Sequence, residues 1–358
     1  MPSLSASFVN NRPFSEERFT GKMKTRHYTI AVFIPMEACP FRCIFCDQKK
    51  ISGHVQVPTP EDVTEIIRSR LRTISDTNAI VEVGFFGGTF TGLSLQRQEA
   101  FLKAVGPFME EGRVSGIRLS TRPDFIDRQR LDLLEKYRVT TIELGAQSMH
   151  DDVLKKAGRG HSAEDTINAS RLISEYGFRL GLQMMVGLPG DTTEKVIDTA
   201  RQMVGLKADD VRIYPLLVIR QTPLERLYRM GKYMPLSLND AVNIVAKIHK
   251  IFEDAGINII RTGLHPSEGL ISGKELVAGP FHVAFKELVL TKLWHEKLEH
   301  LLRNQNAENL CVFVAPGQMN YAVGHRSANK IMLLEKYKKV KFITDNSLKE
   351  RQYHVDFC

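Results

Sequence analysis

The stretch TIAVFIPMEACPFRCIFCDQ, residues 29–48, runs directly from an apolar segment into three closely spaced cysteines. Its first part, TIAVFIPM (29–36), has the β-branched and aromatic residues that are typical of a β-strand. The second part, EACPFRCIFCDQ (37–48), predicts a loop and contains three of the five cysteines of the chain. The sequence therefore predicts a cysteine loop at the carboxyl end of a strand, where barrel-type α/β enzymes carry their functional residues.

The same alternation of strand and helix patterns continues from residue 28 to about residue 218. The apolar runs are nearly continuous, as in strands that are covered on both faces. Strands that alternate with helices predict parallel βαβ units, and six such units predict an α/β fold with a partial or complete barrel. The other runs are IVEVGFFGG (80–88), GIRLSTRP (116–123), TIELGAQS (141–148), RLGLQMMVGLP (179–189) and VRIYPLLV (211–218).

The alternation stops near Phe281, which predicts a domain boundary. Before it lie a helix over residues 237–256, a short strand, INIIRTGL (257–264), and a loop over residues 265–282. Three regions are expected: a flexible N-terminal extension (1–24), the barrel (25–280) and a small basic α/β domain (281–358).

The composition favours a cytoplasmic globular protein. Apolar residues make up 43% of the chain and charged residues 25%. No apolar run approaches the roughly 20 residues of a membrane span, and the N-terminus lacks the apolar segment of a secretory signal. Cysteines that stay reduced in a cytosol are more often metal ligands than disulfide partners. The net charge is +8, and residues 281–358 contain 12 Lys and Arg against 8 Asp and Glu, which permits a polyanionic partner.

The spacing of Cys39, Cys43 and Cys46 favours an iron–sulfur site. Three thiolates can bind three irons of a [4Fe–4S] cluster, which leaves the fourth iron open to a chelating molecule. A closed zinc site is the alternative, but it requires four ligands, and His54 would have to supply the fourth. A third interpretation, three cysteines that meet by chance in a core, is disfavoured because PFR and IF space them as in a turn.

The CxxxCxxC pattern, with Phe45 just before the third cysteine, resembles the signature of the radical S-adenosylmethionine (SAM) superfamily. The resemblance implies a partial (β/α)6 barrel, and it implies that Cys39, Cys43 and Cys46 bind a [4Fe–4S] cluster whose open iron chelates SAM. In this family, one-electron reduction cleaves SAM to methionine and a 5′-deoxyadenosyl radical, which abstracts hydrogen from the substrate.

Motifs after the later strands extend the resemblance. The glycines of GFFGGTF (84–90) match those that contact the SAM amino group, and GLPGD (187–191) matches the segment that packs against adenine. STRPD (120–124) has Ser120 where relatives usually have Glu. No general acid or base is identified, because Tyr214 and His265 are equally consistent with packing. The resemblance implies a cofactor-binding set of Phe45, Gly87, Gly88, Thr89, Ser120, Arg122, Gln147, Arg159 and Gln183.

Three longer stretches indicate a branch of the superfamily. Residues 142–166, 179–192 and 212–233 resemble the radical SAM domain of the Elongator catalytic subunit, which acts on the wobble uridine of tRNA. The acetyltransferase domain of that subunit has no expected counterpart in residues 281–358. The resemblance implies an RNA-modifying enzyme, with tRNA as the expected substrate and a reductant such as flavodoxin or ferredoxin as a partner.

The last 50 residues predict the order strand, helix, turn, helix, strand, strand. A GHRS turn (324–327) between the two helices gives this segment a resemblance to a KH module, whose GxxG loop clamps a nucleic-acid backbone. His325, Arg326 and Lys330 would then contact phosphates. The alternative is a small cap that only closes the side of the barrel. Cys311 is expected to be a small core residue.

Two other functions remain open at this point. A radical SAM oxidoreductase could act on a small molecule, as coproporphyrinogen oxidase does. A non-catalytic, metal-bearing RNA-binding protein is the second possibility, and a closed zinc site would distinguish it because no iron would then be open to SAM.

Overall fold

The protein is described here by a computed structural model that covers residues 26–34, 39, 43–47, 50, 56–303 and 307–357. The N-terminal extension expected over residues 1–24, as well as His54 and Cys358, lies outside the described residues. Most of the described chain forms one large parallel sheet with helices between its strands, and a small three-stranded sheet follows. Within the described residues, no helix is both long enough and apolar enough to cross a bilayer.

The large sheet has seven strands, and every neighbouring pair in it is parallel. Its spatial order follows the chain order, which makes each connection a simple crossover through a helix. The strands are β1 (His27–Phe33), β2 (Ile80–Phe86), β3 (Gly116–Thr121), β4 (Val139–Gln147), β5 (Arg179–Val186), β6 (Asp210–Pro215) and β8 (Asn258–Thr262).

Helices connect the strands, and the longer ones pack against the apolar core of this sheet. Several begin at a side chain that caps the first turn, and both Thr59 and Ser162 form a reciprocal capping box with an Asp three residues later. The helices are α1 (Pro60–Leu71), α2 (Leu95–Glu110), α3 (Arg128–Lys136), α4 (Asp151–Lys156), α5 (Ala163–Glu175), α6 (Thr193–Gly205), α7 (Pro223–Arg229) and α8 (Leu238–Asp254).

The predicted partial barrel is confirmed. β1 and β8 stand at the two edges of the sheet and are not paired with each other, so the barrel is open. The short strand expected over residues 257–264 joins the same sheet beside β6, which gives seven strands where the pattern of βαβ units predicted six.

Two segments differ from the sequence-based expectation. The run VRIYPLLV does not form one strand, since β6 ends at Pro215 and a separate β7 (Val218–Ile219) follows. β7 pairs antiparallel with β9 (Leu276–Ala278), and a short helix, α9 (Glu268–Ile271), precedes β9. The segment expected to be a loop over residues 265–282 therefore supplies an element of a second small sheet.

The inner face of the large sheet contains a buried network of charges. Arg118, on β3, lies 3.5 Å from Glu82 on β2, 2.9 Å from Glu143 on β4 and 3.1 Å from Asp210 on β6. Arg212, on β6, makes a bidentate pair with the same Glu143. All three carboxylate side chains are at most 11% exposed, so their charges require compensation by such partners. Asp210 also lies 3.3 Å from Arg179, and Glu82 lies 2.9 Å from His27.

The C-terminal segment has the predicted element order. It begins with a helix, α10 (Phe285–Leu298), and continues with β10 (Asn309–Val314), α11 (Met319–Val323), α12 (Ala328–Leu334), β11 (Lys339–Thr344) and β12 (Tyr353–Phe357). β10 is the central strand, parallel to β11 and antiparallel to β12.

The helix α10 contributes to two apolar cores. Phe285 and Val289 pack into the core of the large sheet, whereas Trp294 and Leu298 pack into the core under the small sheet. The domain boundary near residue 280 stays a prediction. Cys311 is half-buried and alternates with the core residues Leu310 and Val312, so it does not take the core position that we expected.

We predict that Arg118→Met lowers the free energy of unfolding by about 3–5 kcal/mol, because Glu82, Glu143 and Asp210 would each lose one of the contacts that compensate their buried charges. Urea unfolding followed by circular dichroism measures this change. The matched control is Arg128→Met, which breaks an exposed pair with Glu175 and should cost less than about 1 kcal/mol. Equal losses in the two variants would contradict this assignment of the network.

Candidate functional site

The site lies where the parallel strands end. In parallel strands the carboxyl ends meet at one edge, and the register pairs Phe33 with Phe86 and Met185 with Tyr214 near that edge. The cysteine loop follows β1 on this edge. At this same edge, the strands β2 to β5 end in the segments GFFGGTF, STRPD, GAQS and GLPGD. We call this edge, together with its loops, the rim.

Two backbone hydrogen bonds connect the cysteine loop to the residue that follows α4 and to the first turn of α7. The amide of Ile44 donates to the carbonyl of Ala157, and the carbonyl of Ile44 accepts from the amide of Leu224 at the start of α7. Within the loop, the amide of Cys46 donates to the carbonyl of Cys43 at 3.1 Å, which closes a turn between the two cysteines.

None of the three predicted metal ligands takes part in a disulfide. Among the described side chains, no three His, Cys, Asp or Glu residues are grouped closely enough to share one metal ion. A [4Fe–4S] cluster does not require such a group, because each of Cys39, Cys43 and Cys46 would bind a different iron. Three thiols in one loop are the soft donor set that iron–sulfur clusters use.

Arg159 connects this loop to β4. Its side chain is only 7% exposed; Nη1 donates to Cys43 Sγ at 3.2 Å, and Nη2 donates to the carbonyl of Gly145 at 2.6 Å. A guanidinium that donates to sulfur stabilises negative charge there. Nε of Arg159 is buried and has no hydrogen-bond partner among the described residues.

A second arginine and a histidine lie beside Arg159. Arg122 is buried and makes a bidentate pair with Asp124, at 2.9 and 2.8 Å. Nε2 of His161 lies 3.2 Å from the carbonyl of Ala146. Burial is the main cause that lowers the pKa of His161 to about 4, and the charges of Arg159 and Arg122 contribute to the same shift. The imidazole is therefore neutral at neutral pH, and the two guanidinium groups keep a net positive field at this rim.

The two predicted glutamines lie next to each other. Gln147 ends β4 in the left-handed region, with φ of 69°, and its Oε1 accepts from Nε2 of Gln183 at 3.3 Å. A left-handed conformation at a residue other than glycine is unfavourable and is often found at functional sites. A Cβ added at Gly145 would lie 3.0 Å from Gln147 Nε2 and 3.3 Å from Arg159 Nη2, so both side chains converge over this glycine.

The turn after β2 lies close to the end of β1. Gly87 has φ of 108°, and a Cβ there would lie 3.2 Å from the carbonyl oxygen of Ile34. Only glycine fits this approach without strain. Gly88 continues the turn, and the buried Thr89 then places Oγ1 3.3 Å from Cys39 Sγ.

Other predicted residues lie around this centre. Phe45 is buried among Met185, Leu188 and Tyr233. Ser120 is half-buried on β3. Tyr214 packs partly against the same cluster as Phe45, and Nδ1 of His265 lies 3.1 Å from Arg261. His325, Arg326 and Lys330 belong to the C-terminal segment and are not part of this rim.

A cavity of about 520 Å³ opens beside the GLPGD segment, residues 187–191. Tyr233 closes one side through a hydrogen bond from its hydroxyl to the carbonyl of Gly187 at 2.8 Å. Asp191 Oδ2 accepts from the amide of Gly187, and burial raises the pKa of Asp191 to about 6. Lys156 and Lys232 line the outer wall of this cavity.

Sequence reasoning missed three of these features. His161 stands two positions after Arg159, in the segment GRGH (158–161), and Asp124 stands two positions after Arg122, in STRPD. Both could have been found as partners of the predicted arginines. Arg212, which pairs with Glu143 and lies 5.3 Å over the ring of Phe86, gave no local signal.

The lowered pKa of His161 predicts a pH dependence of stability. The unfolded chain takes up a proton between pH 6.5 and about 4 that the folded protein excludes, so stability falls as the pH falls through this window. Relative to His161→Gln, the wild type should lose up to about 3 kcal/mol of unfolding free energy from pH 6.5 to pH 4. Urea unfolding at several pH values measures the difference, in which the contribution of Asp191 cancels. A constant difference would contradict the prediction.

Comparison with known proteins agrees with this geometry. The family model described as the radical SAM superfamily matches residues 33–203, and that of the radical SAM C-terminal domain matches residues 208–304. The archaeal Methanocaldococcus infernus Elp3 structure aligns with a TM-score of 0.60 at 22% identity, covering 78% of this chain and 64% of that chain, which shows a shared fold.

Two curated relatives extend the similarity. The tRNA uridine(34) acetyltransferase of Methanocaldococcus jannaschii is 27% identical over 256 residues, which are 61% of this chain and 47% of that protein. Elongator complex protein 3 of Saccharomyces cerevisiae is 30% identical over 188 residues, covering 47% and 34% of the two chains. The chain spans about half the length of the tRNA uridine(34) acetyltransferases that it matches. With both family models spanning most of the described residues, the chain belongs to the radical SAM superfamily, whose enzymes use a [4Fe–4S] cluster and SAM.

Proposed function

We propose that this chain is a radical SAM enzyme that modifies RNA, with tRNA as its substrate. The choice of tRNA is supported by the similarity, over 256 residues, to a protein named tRNA uridine(34) acetyltransferase. The segments GAQS, GRGH and GLPGD, which belong to the stretches that resemble the Elongator catalytic subunit, lie on the rim that carries the cysteine loop.

The donor set fits the cluster and its cofactor. Cys39, Cys43 and Cys46 would hold the cluster, and Arg159, which already donates to Cys43 Sγ, would stabilise its negative charge. When bound, the reduced cluster and SAM supply a 5′-deoxyadenosyl radical for hydrogen abstraction.

The side chains of the rim would bind and orient SAM. The buried guanidinium groups of Arg122 and Arg159 favour a carboxylate, and the neutral His161 does not add a third positive charge beside them. Gln147 and Gln183 offer amide groups for ribose hydroxyls. The turn at Gly87 and Gly88 packs against the backbone of Ile34 and would present its own backbone groups to the cofactor. The apolar wall around Phe45 would exclude water.

The C-terminal segment offers a route to RNA. Its GHRS turn places Arg326 and Ser327 in the left-handed region, with φ of 52° and 61°, and Arg326 is exposed there. Ser327 thus takes a conformation that glycine would adopt more easily at the second glycine position of a GxxG loop. We propose that His325, Arg326 and Lys330 contact phosphates of the bound RNA, that a flavodoxin or ferredoxin supplies the electron, and that the reaction occurs in the cytoplasm.

The cluster assignment predicts a sharp difference between two cysteine variants. Wild-type protein reconstituted without oxygen should contain about four irons and should cleave SAM when a reductant is added. Cys43→Ala should lose the cluster and at least roughly 99% of the SAM cleavage, because the cluster needs all three thiolates. Cys311→Ala, which removes a thiol far from the rim, should keep both. A Cys43→Ala protein that still cleaves SAM would contradict the assignment.

The choice of substrate predicts a change in cellular tRNA. Mass spectrometry of tRNA nucleosides should show one modified nucleoside that is lost when the gene is deleted. It should return with the wild-type gene and with Cys311→Ala but not with Cys43→Ala. Unchanged tRNA in the deletion strain, with SAM cleavage intact in the purified protein, would refute RNA as substrate and leave the radical chemistry in place.

A further inference from the structure

The outer face of the small C-terminal sheet is not covered by any described part of the chain. Side chains on the three strands alternate between two faces. Leu310, Val312 and Val314 of β10 face the core, and Phe313 of the same strand faces outward and is half-buried. A sheet face without a covering layer normally carries polar residues, so an outward phenylalanine at its centre indicates a binding surface.

An aromatic pair stands at the centre of this face. Phe313 pairs with His354 across β10 and β12, and their rings are stacked with centroids 4.4 Å apart and an angle of 9° between planes. On the other side of Phe313 stands the exposed Ile343 of β11. Nε2 of the exposed His354 lies 2.9 Å from Asp345 Oδ2, which holds the imidazole in this orientation.

The charges on this face are arranged asymmetrically. Lys339 and Lys341 point outward from β11, both are exposed, and no carboxylate of the described chain lies within ion-pair distance of either one. Asp356, on β12, occupies the opposite flank and pairs with the same residue of β10 as Lys341 does. An anionic chain would therefore follow the β11 side, with its planar groups over the aromatic pair.

We propose that this sheet face binds an unpaired segment of RNA, with a base stacked on the Phe313–His354 pair and phosphates at Lys339 and Lys341. The proposal rests on the proposed RNA substrate and names a second surface for it, separate from the GHRS turn. Aromatic side chains on an open sheet stack bases that are not paired, because a base within a duplex does not expose its face. The lysines supply the charge that attracts the backbone.

The test measures the affinity of the full-length protein for a short fluorescent oligouridine by fluorescence anisotropy. Phe313→Leu keeps an apolar side chain and removes the ring, so it should weaken binding roughly tenfold. Lys341→Ala should reduce the slope of log affinity against log salt by about 0.7. Lys349→Ala, an exposed lysine outside the three strands, is the matched control and should change neither quantity. Circular dichroism verifies that each variant is folded.

Each other outcome overturns the inference in a recognisable way. If the wild type binds oligouridine and Phe313→Leu and Lys341→Ala bind equally well, this face is not the RNA surface, while the proposed substrate stands. Stronger binding of double-stranded RNA that Phe313→Leu does not change would exclude base stacking. A dimer that dissociates on Phe313→Leu in sedimentation would show that a second copy occupies the face. If neither oligouridine nor tRNA binds the wild type, both this inference and the RNA substrate fail.

Discussion

The parallel register of the large sheet is the constraint on which the other features depend. Because all seven strands run in one direction, every loop that follows a strand from β1 to β6 reaches the same rim. Along the chain, Gln147 follows Cys46 by 101 positions, and the Gly87 turn lies between the two. Arg159 then joins the cysteine loop to β4 directly, through Cys43 Sγ and the carbonyl of Gly145.

The buried ion pairs below this rim restrict the movement of the strands that carry the site. Arg118 and Arg212 share Glu143 from two different strands, so the three side chains cannot shift independently. A buried network of this kind gives little net stability relative to apolar packing, because the charges are removed from water. Its consequence is geometric: strands β2, β3, β4 and β6 are tied together directly below the glutamines that we assign to SAM. Preorganised polar groups of this type lower the cost of orienting a bound cofactor.

Local signals in the sequence predicted the strands, the cysteine loop and most residues of the rim. Each lies within a short stretch, such as GFFGGTF or GRGH, whose pattern does not depend on distant partners. The buried charges were not predicted, because Arg118 meets Asp210, which is 92 positions away along the chain, only in the folded protein. The alternation of Arg118 with Leu119, and of Glu143 with Leu144, contained a signal for an inner polar face. We did not recognise this alternation, because the strands are mostly apolar. The pairing of β7 with β9 was missed for the same reason, since two short strands gain their structure only from each other.

The shared helix α10 determines how the C-terminal segment can act. Its first turns pack into the core of the large sheet and its last turns pack into the core of the small one, so a single rigid element links both. Arg351, just before β12, adds a bidentate ion pair with Glu253 of α8. His282 and His325 add an edge-to-face contact between rings 5.4 Å apart. RNA bound on the C-terminal segment would thus be held at a fixed distance from the rim, and not on a mobile tether. Removing this segment would also expose the apolar side of α10, so the two parts must be studied together in the full chain.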